Sequence, residues 1–282
     1  MIADGHGLPY SKGLMAQSLS ATGMAPERAF DLARVVERRL ADGRVERIGA
    51  GELGDLTEGV LSEEEGEVWL RRFRHWRRLD RLERPLVVLI GGTTGVGKST
   101  VATMLAARLG ITRVIATDVI RQVLRAFFTH GAMPSVHHSA FEAGGVEGYR
   151  DQAGQVATGI AAIMQRAADE SKPVVVEGVH VVPGTIAGDL RGRCAVVEAL
   201  VTVSDPELHR GHFSHRPGSR PPGRYLERFA DIRVLQDHLT ECAHAESVAV
   251  IENENADDTL AQLMQLVLDT VGRIGGEDPP AR

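Results

Sequence analysis

The sequence contains few cysteines, which argues against a disulfide-rich domain and against a metal site built from cysteines. It has two in 282 residues, Cys194 and Cys242, and their separation matches neither a metal-ligand spacing nor a disulfide framework. We expect both side chains to behave as small apolar groups in a reducing compartment. The composition therefore gives no support for a disulfide-rich secreted domain or for a cysteine-ligated metal protein.

The sequence also lacks a membrane-spanning run and a strong positive charge. No segment reaches the length of a transmembrane helix, and the N-terminus lacks a charged region followed by an apolar stretch. The formal net charge is −6, which does not favour nucleic acid or an anionic membrane as a partner. We therefore expect a cytoplasmic protein that acts on a small molecule, and the sequence leaves its oligomeric state open.

Lysine is scarce, and one of the three lysines has a distinctive position. Lys12, Lys98 and Lys172 are the lysines, and the other 29 basic residues are arginines. Lys98 belongs to the run G-T-T-G-V-G-K-S at 92–99, which matches every fixed position of the phosphate-binding loop pattern G-x-x-x-x-G-K-[ST]. A strand-type apolar run precedes the loop and a helix-type run follows it, as the motif requires. The sequence therefore predicts a nucleoside triphosphate site.

In such a loop, glycines and successive backbone N–H groups surround the β-phosphate of the nucleotide. Lys98 is expected to bridge the β- and γ-phosphates, and the Ser99 hydroxyl is expected to bind Mg²⁺. The predicted nucleotide-binding residues are Gly92, Thr93, Thr94, Gly95, Val96, Gly97, Lys98, Ser99 and Thr100.

Strand-like and helical runs alternate from residue 85 onward. The strand-like runs are 86–90, 114–117, 174–176, 195–203 and 248–251. This rhythm predicts an α/β domain over 85–274 with a parallel five-stranded sheet, followed by a frayed polar tail over 275–282.

Residues 1–84 are expected to form a separate, mostly helical domain. Helices are predicted from Ser11 to Ser20, from Pro26 onward, and after the capping-box pattern at 62–65. The arginines between residues 71 and 84 follow a cluster of glutamates on the same predicted helix. We interpret them as a solvated or salt-bridged helix face.

The residues that follow each strand are the candidates for chemistry, because ligands bind beyond the carboxyl ends of parallel strands. Asp118 is expected either to orient or deprotonate a substrate hydroxyl or only to cap a helix, and Arg121 to bind an acidic substrate group. Glu177 is expected to contact Mg²⁺ through water, although Asp118 is an alternative as the closer partner. His180 is either a substrate contact or a polar residue at a loop entrance.

A cationic segment at 205–228 is rich in histidine, arginine, proline and glycine. It predicts a mobile lid whose guanidinium groups bind the transferring phosphoryl group, with a disordered loop as the alternative. The predicted catalytic residues are Lys98, Asp118, Arg121, Arg216 and Arg224.

Several segments together resemble the archaeal-type 2-phosphoglycerate kinase family. They are 10–19, 85–100, T-D-V-I-R at 117–121, V-E-G-V-H-V-V-P-G at 176–184, and R-Y-L-E-R-F at 224–229 with Ile232-Arg233. The resemblance implies a P-loop kinase core that uses ATP and Mg²⁺. It further implies transfer of the γ-phosphate to the 3-hydroxyl of 2-phosphoglycerate, which gives 2,3-bisphosphoglycerate. An inositol phosphate or sugar phosphate kinase and a nucleotide-dependent regulatory protein are the alternatives.

The resemblance extends to residues 1–84, which are similar to an ATP-cone, a small nucleotide-sensing module. Lys12 lies within the matching segment. A packing or oligomerisation domain is the alternative for this part of the chain.

Overall fold

The structure is a computed structural model that describes residues 10–45, 47–79, 81–185, 188–214 and 223–276. The chain forms two compact units. The helical unit comprises Met1–Leu82 and Met264–Arg282, and the sheet unit comprises Glu83–Leu263. Among the described residues, every helix is too short or too polar to cross a bilayer.

The helical unit begins with four helices. They are α1 (Lys12–Ser20), α2 (Pro26–Asp42), α3 (Ala50–Glu64) and α4 (Glu67–Leu79). The Ser11 hydroxyl caps α1 by accepting a hydrogen bond from the Leu14 N–H at 3.4 Å. Pro26 is the first residue of α2. The N–H at this position would have no acceptor within the helix, so proline costs no hydrogen bond there. The core of the unit includes Leu19, Leu32, Val36, Val60 and Phe73.

The start predicted at residues 62–65 is wrong, because these residues form the end of α3 and the loop that follows it. Capping occurs at the other end of α3, where the Glu52 carboxylate accepts a hydrogen bond from the Gly49 N–H at 3.1 Å. No helix is predicted over residues 50–61, since glycines at 51, 54 and 59 lower helix propensity. Packing against α4 overrides that propensity.

The arginines of α4 pair with carboxylates of α3. Arg77 NH1 lies 2.9 Å from Asp55 Oδ1 and 2.5 Å from Glu58 Oε1, and Arg74 Nε lies 2.8 Å from Glu58 Oε2. A side chain at Gly54 would collide with the Arg77 guanidinium group, so the glycine permits this approach. The salt-bridged face is confirmed for these two arginines; most of their partners belong to α3, and Glu67 of α4 lies 4.0 Å from Arg74 NH1.

Lys12 lies in the first turn of α1. Its Nζ is 3.2 Å from a carboxylate oxygen of Glu37, and both side chains are partly exposed. A nucleotide-sensing role for this unit stays a prediction.

The sheet unit contains five parallel strands in its described residues. They are β1 (Leu86–Gly91), β2 (Val114–Ala116), β3 (Val174–Gly178), β4 (Ala195–Thr202) and β5 (Ala249–Glu252). Their spatial order is β2-β3-β1-β4-β5, so the α/β fold and all five predicted strands are confirmed. In the register, Glu177 of β3 lies between Ile90 of β1 and Ala116 of β2. The ends of these three strands therefore meet at one edge of the sheet.

Helices connect the strands and follow the last one. They are α5 (Lys98–Leu109), α6 (Thr117–Phe127), α7 (Gly145–Glu170), α8 (Gly188–Arg193), α9 (Pro206–Ser214), α10 (Gly223–Glu227), α11 (Phe229–Ala245) and α12 (Ala256–Ile274), with 3-10 helices at Pro134–His137 and Ala140–Glu142. The boundary between the two units falls within α12. Side chains of α7, including Ile160 and Met164, pack with Leu89 and Val176 of the sheet. Each such buried aliphatic side chain stabilises the fold by about 1.5–3 kcal/mol.

The segment predicted as a mobile loop from residue 205 begins as a helix instead. Asp205 precedes α9, and its carboxylate accepts a hydrogen bond from the Glu207 N–H at 2.8 Å. Phe213 of α9 is 3% exposed and stacks on Tyr225. Local capping and burial of this aromatic ring fix the first part of the predicted lid, and residues 215–222 lie outside the described residues.

Candidate active site

The phosphate loop leaves the end of β1 and enters α5. Gly97, with φ of 84°, directly precedes Lys98, the first residue of α5. The loop therefore leads into a helix N-terminus, where unpaired N–H groups favour an anion. The Lys98 ammonium donates a hydrogen bond to the Thr93 carbonyl at 3.3 Å, and Thr100 lies in the first turn of α5. The predicted strand, loop and helix context is confirmed.

Glu177 places a buried carboxylate beside this loop. Its Oε1 accepts a hydrogen bond from the Ser99 hydroxyl at 2.9 Å, and the residue is 6% exposed. Its Oε2 is buried and has no hydrogen-bond partner among the described residues. A buried carboxylate oxygen without a partner is costly. A hydrated cation at this point would supply the missing partner, so the side chains of Ser99 and Glu177 fit a site for Mg²⁺.

Asp118 and Arg121 lie in the first turns of α6, which starts directly after β2. The helix begins at Thr117, and its N-cap residue is Ala116, so Asp118 is not the capping residue. Its side chain is 57% exposed and lines the pocket described below. Helix capping is therefore excluded for Asp118, and its role toward a substrate stays a prediction.

Arg121 is held in place by several partners. Its side chain is 8% exposed, and its Nε donates to Asp118 Oδ1 at 3.4 Å. Its NH1 donates to the carbonyls of Val136 and His138 at 3.0 and 3.1 Å. The described residues give its NH2 group no hydrogen-bond partner. Arg121 lines the pocket, so its NH2 group is available to an anionic ligand.

His180 is fully buried in a network of side chains. Its Nδ1 lies 2.9 Å from the Thr117 hydroxyl, and its Nε2 lies 2.9 Å from Gln152 Oε1. Gln152 Nε2 donates to the carbonyls of Ser135 and His138, so Gln152 Oε1 is an acceptor. His180 Nε2 therefore carries the proton, and His180 Nδ1 accepts from the Thr117 hydroxyl.

This network supports the start of α6. Burial lowers the pKa of His180 to about 4, so the ring is neutral at physiological pH. His180 is not among the pocket-lining residues and instead fixes Thr117, which directly precedes Asp118 in α6. A side chain at Gly178, with φ of 154°, would collide with the Thr117 hydroxyl. The structure thus gives His180 a supporting position rather than a place in the pocket.

An open pocket brings six of the predicted site residues together. From the predicted set, it is lined by Thr94, Lys98, Ser99, Asp118, Arg121 and Glu177. The remaining loop residues, Gly92, Thr93, Gly95, Val96, Gly97 and Thr100, are their chain neighbours.

The two predicted lid arginines stand apart from this group. Arg216 lies outside the described residues. Arg224 of α10 is not a pocket-lining residue, and its Nε donates to Glu142 at 2.9 Å while its NH2 donates to the Ser139 hydroxyl at 3.1 Å. This pairing holds the pKa of the Glu142 carboxyl below its usual value. The catalytic roles assigned to Arg216 and Arg224 stay predictions.

Sequence reasoning missed several residues of the pocket wall. Ser139 and Phe141 line it from the segment before α7, and Tyr225 lines it from α10. Tyr225 belongs to the distinctive R-Y-L-E-R-F segment, which was the available signal. Ser139 and Phe141 follow no predicted strand, so the rule that locates ligand sites at strand ends could not find them.

The fold is a parallel sheet with a phosphate loop that enters a helix, and cationic and carboxylate side chains surround one pocket. These features define a P-loop phosphotransferase.

Comparison with relatives shows to which family of phosphotransferases the chain belongs. The 2-phosphoglycerate kinase of Methanopyrus kandleri is 36% identical over 275 residues, which cover 92% of this chain and 84% of that protein. That of Methanothermobacter thermautotrophicus is 34% identical over 286 residues, which cover 95% and 93%. That of Pyrococcus horikoshii is 34% identical over 273 residues, which cover 93% and 90%. The chain belongs to the 2-phosphoglycerate kinase family.

No protein-family model matches the chain. Among solved structures, a gluconokinase from Sinorhizobium meliloti 1021 is 16% identical with a TM-score of 0.36, covering 69% of this chain and 96% of that chain. A shikimate kinase from Bacteroides thetaiotaomicron is 13% identical with a TM-score of 0.37, covering 64% and 98%. TM-scores this low establish no functional relationship.

Proposed function

We propose that this protein transfers the γ-phosphate of Mg-ATP to the 3-hydroxyl of 2-phosphoglycerate, giving 2,3-bisphosphoglycerate and ADP. The observation that carries the proposal is the convergence of Lys98, Asp118, Arg121 and Glu177 on one pocket, in a chain of this family. These four residues supply the nucleotide contact, the proton acceptor, the anion contact and the metal contact that the reaction needs.

The nucleotide contacts in the proposal come from the phosphate loop. The N–H groups of the loop and of the first turn of α5 bind the β-phosphate, and Lys98 reaches the β- and γ-phosphates. Ser99 and Glu177 hold Mg²⁺, with Glu177 acting through water. The hydrogen bond between these two side chains supports Glu177, rather than Asp118, as the closer magnesium partner. When bound, the ion neutralises charge on the phosphate oxygens.

The acceptor contacts in the proposal come from α6. 2-Phosphoglycerate carries a carboxylate and a phosphate, so its site needs cations. Arg121 offers its NH2 group, because its NH1 and Nε are already engaged by Val136, His138 and Asp118. Asp118 is exposed in the pocket and accepts or orients the proton of the attacking hydroxyl. A loose phosphoryl-transfer transition state requires mostly positioning and charge neutralisation, which these fixed groups provide.

The location and partners follow from the same proposal. Both proposed substrates are cytoplasmic metabolites, so we place the protein in the cytoplasm. A net charge of −6 supports a small-molecule partner over nucleic acid.

A coupled assay of ADP release with Mg-ATP tests the proposal against a panel of acceptors. The panel contains 2-phosphoglycerate, 3-phosphoglycerate, glycerate, and several sugar and inositol phosphates. Selective turnover of 2-phosphoglycerate supports the proposal, and selective turnover of another acceptor overturns its substrate. ATP consumption that no acceptor stimulates favours the regulatory alternative. Lys98→Ala is the inactive reference, and Lys172→Ala, an exposed lysine outside the pocket, is its matched control.

A further inference from the structure

We propose that His209 and His212 of α9 are positioning residues for nucleotide binding. They hold peptide carbonyls of the phosphate loop, so that the N–H groups of the loop stay turned toward the phosphates of ATP. The inference rests on the proposed function only in requiring that the loop binds ATP, and it is independent of the acceptor.

Two ring nitrogens of α9 contact consecutive carbonyls of the loop. His209 Nε2 lies 2.9 Å from the Thr94 oxygen, and His212 Nδ1 lies 2.8 Å from the Gly95 oxygen. A carbonyl oxygen only accepts hydrogen bonds, so each of these ring nitrogens carries a proton. The two histidines therefore act as donors through different ring positions.

The ring of His209 is fixed in one state and one orientation. The residue is fully buried, and its Nδ1 has no hydrogen-bond partner among the described residues. Burial lowers the pKa of His209, which favours a neutral ring with its proton on Nε2. The ring stacks on Phe213 with centroids 5.5 Å apart, and meets Phe229 edge-on at 5.3 Å. His209 thus presents a single donor to the loop.

The base of α9 is anchored to the rest of the sheet unit. Arg233 of α11 donates hydrogen bonds to the carbonyls of Val203 and Ser204, which link β4 to α9. Ser204 also donates through its hydroxyl to Glu252 of β5 at 2.9 Å. The start of α9, the helix that contains His209 and His212, is therefore held in place by hydrogen bonds.

Gly95 explains how α9 approaches the loop so closely. This glycine occupies a variable position of the phosphate-loop pattern, so the motif does not require it. Its φ is 92°, and a side-chain carbon there would lie 2.5 and 2.7 Å from ring atoms of Phe213 and 3.0 Å from His209 Nε2. A larger residue would push α9 away and break the contacts of both histidines.

A third carbonyl is held from another element. Asn253, which follows β5, donates from Nδ2 to the Val96 oxygen at 2.8 Å, and the Thr259 hydroxyl fixes its amide by donating to Oδ1 at 2.8 Å. The carbonyls of residues 94, 95 and 96 are thus all bound to donors outside the loop. A trans peptide directs its N–H opposite to its carbonyl, so these contacts set the direction of the N–H groups of residues 95, 96 and 97.

Because these peptides are already fixed, the loop loses less conformational entropy when the nucleotide binds. Loss of one such neutral hydrogen bond should raise the Kd for Mg-ATP roughly 3- to 10-fold. The effect should appear in the Kd and KM for ATP, and the KM for the acceptor should stay nearly constant.

The test is calorimetric titration of the full-length protein with Mg-ATP, without acceptor, for His212→Ala and His212→Asn. Asparagine places its Nδ2 donor near the position of histidine Nδ1, so it should restore the affinity that alanine loses. His209→Ala and His209→Gln form a second pair, because glutamine places a donor near Nε2. Glu207→Gln is the control on α9, since this side chain is 79% exposed and pairs with Arg210. Thermal melting of each variant reports folding.

The expected result is weaker ATP binding in His212→Ala, near-normal binding in His212→Asn, and no change in Glu207→Gln. Unchanged ATP affinity in folded His212→Ala and His209→Ala overturns the proposal. Equal losses in His212→Ala and His212→Asn also overturn it, because they show that the donor is not responsible. If the unmodified protein binds ATP but phosphorylates no acceptor, the proposed function fails while the same titrations still decide this inference.

Discussion

The Ser99 hydroxyl donates a 2.9 Å hydrogen bond to Oε1 of Glu177, and so joins the first turn of α5 to the end of β3. The other carboxylate oxygen of Glu177 is buried without a partner among the described residues. Ser99 of α5 and Glu177 of β3 thus mark the position at which we expect the magnesium ion of Mg-ATP. This contact depends on the parallel pairing of β1 with β3.

Glu177→Gln should lower kcat by about 10²- to 10³-fold and raise the Mg²⁺ concentration needed for half-maximal rate. The amide has nearly the same shape as the carboxylate but lacks its charge, so the fold should persist while attraction for the hydrated ion falls. Initial rates measured against Mg²⁺ concentration test this. Glu198→Gln is a matched control, because Glu198 is also a buried carboxylate on a strand but lies outside the pocket. An identical Mg²⁺ dependence in Glu177→Gln and the unmodified protein would remove Glu177 from the metal site.

Asp118→Asn should lower kcat by about 10²- to 10⁴-fold and leave the Kd for ATP nearly unchanged. Asparagine can still accept the hydrogen bond from Arg121, but it cannot take a proton from the acceptor hydroxyl. Steady-state rates and a separate nucleotide titration distinguish the two effects. A normal kcat in this variant would exclude Asp118 from the chemical step.

Arg121→Gln should raise the KM for 2-phosphoglycerate by about 100-fold or more, with a much smaller effect on the KM for ATP. The reason is loss of the guanidinium NH2 group assigned to the anionic part of the acceptor. Arg125→Gln is the matched control, because Arg125 is exposed one turn further along α6. A thermal melt is needed beside the kinetics, since Arg121 also binds the carbonyls of Val136 and His138. Equal increases in both KM values would contradict an acceptor-specific role.

His180 should make the protein less stable as the pH falls from about 6.5 to about 4. Burial lowers the pKa of His180 in the folded state to about 4, from its usual value of 6.5. Between these values the unfolded chain binds a proton that the folded protein does not, so acidification favours unfolding. The contribution of this residue lost over that range is on the order of 3 kcal/mol.

Urea unfolding at several pH values tests this prediction in the unmodified protein and in His180→Gln. Carboxylates contribute to both profiles, and Asp118, Arg121 and Lys98 also act on the titration of His180. The difference between the two profiles isolates the histidine. The variant should be less stable at pH 7 but should lose less stability on acidification. Parallel profiles would contradict a depressed pKa for His180.

The parts of the fold that the sequence predicted correctly are those with local signals. Each of the five strands contains a short apolar run, and the phosphate loop is a contiguous motif. The rule that ligands bind at strand ends also located Asp118 and Glu177, which the structure brings to one pocket. For these two residues, the order of the strands in the sequence and their parallel arrangement were enough to predict their position.

The remaining features depend on contacts between distant residues. Gln152 lies in the middle of α7, and no local pattern links it to His180 or to Thr117. His209 is read from composition as part of a mobile loop, because its burial against Phe213 and Phe229 is tertiary. Helix α3 was missed for the same reason, since the packing of Arg77 against Gly54 outweighs the low helix propensity of glycine.

The most direct test of the central claim is ³¹P NMR of a reaction containing the protein, Mg-ATP and 2-phosphoglycerate. The account predicts that 2-phosphoglycerate is converted to 2,3-bisphosphoglycerate with one ADP formed for each product, and that Asp118→Asn forms the product far more slowly. Release of inorganic phosphate with 2-phosphoglycerate unchanged, or transfer to any other position, would contradict it.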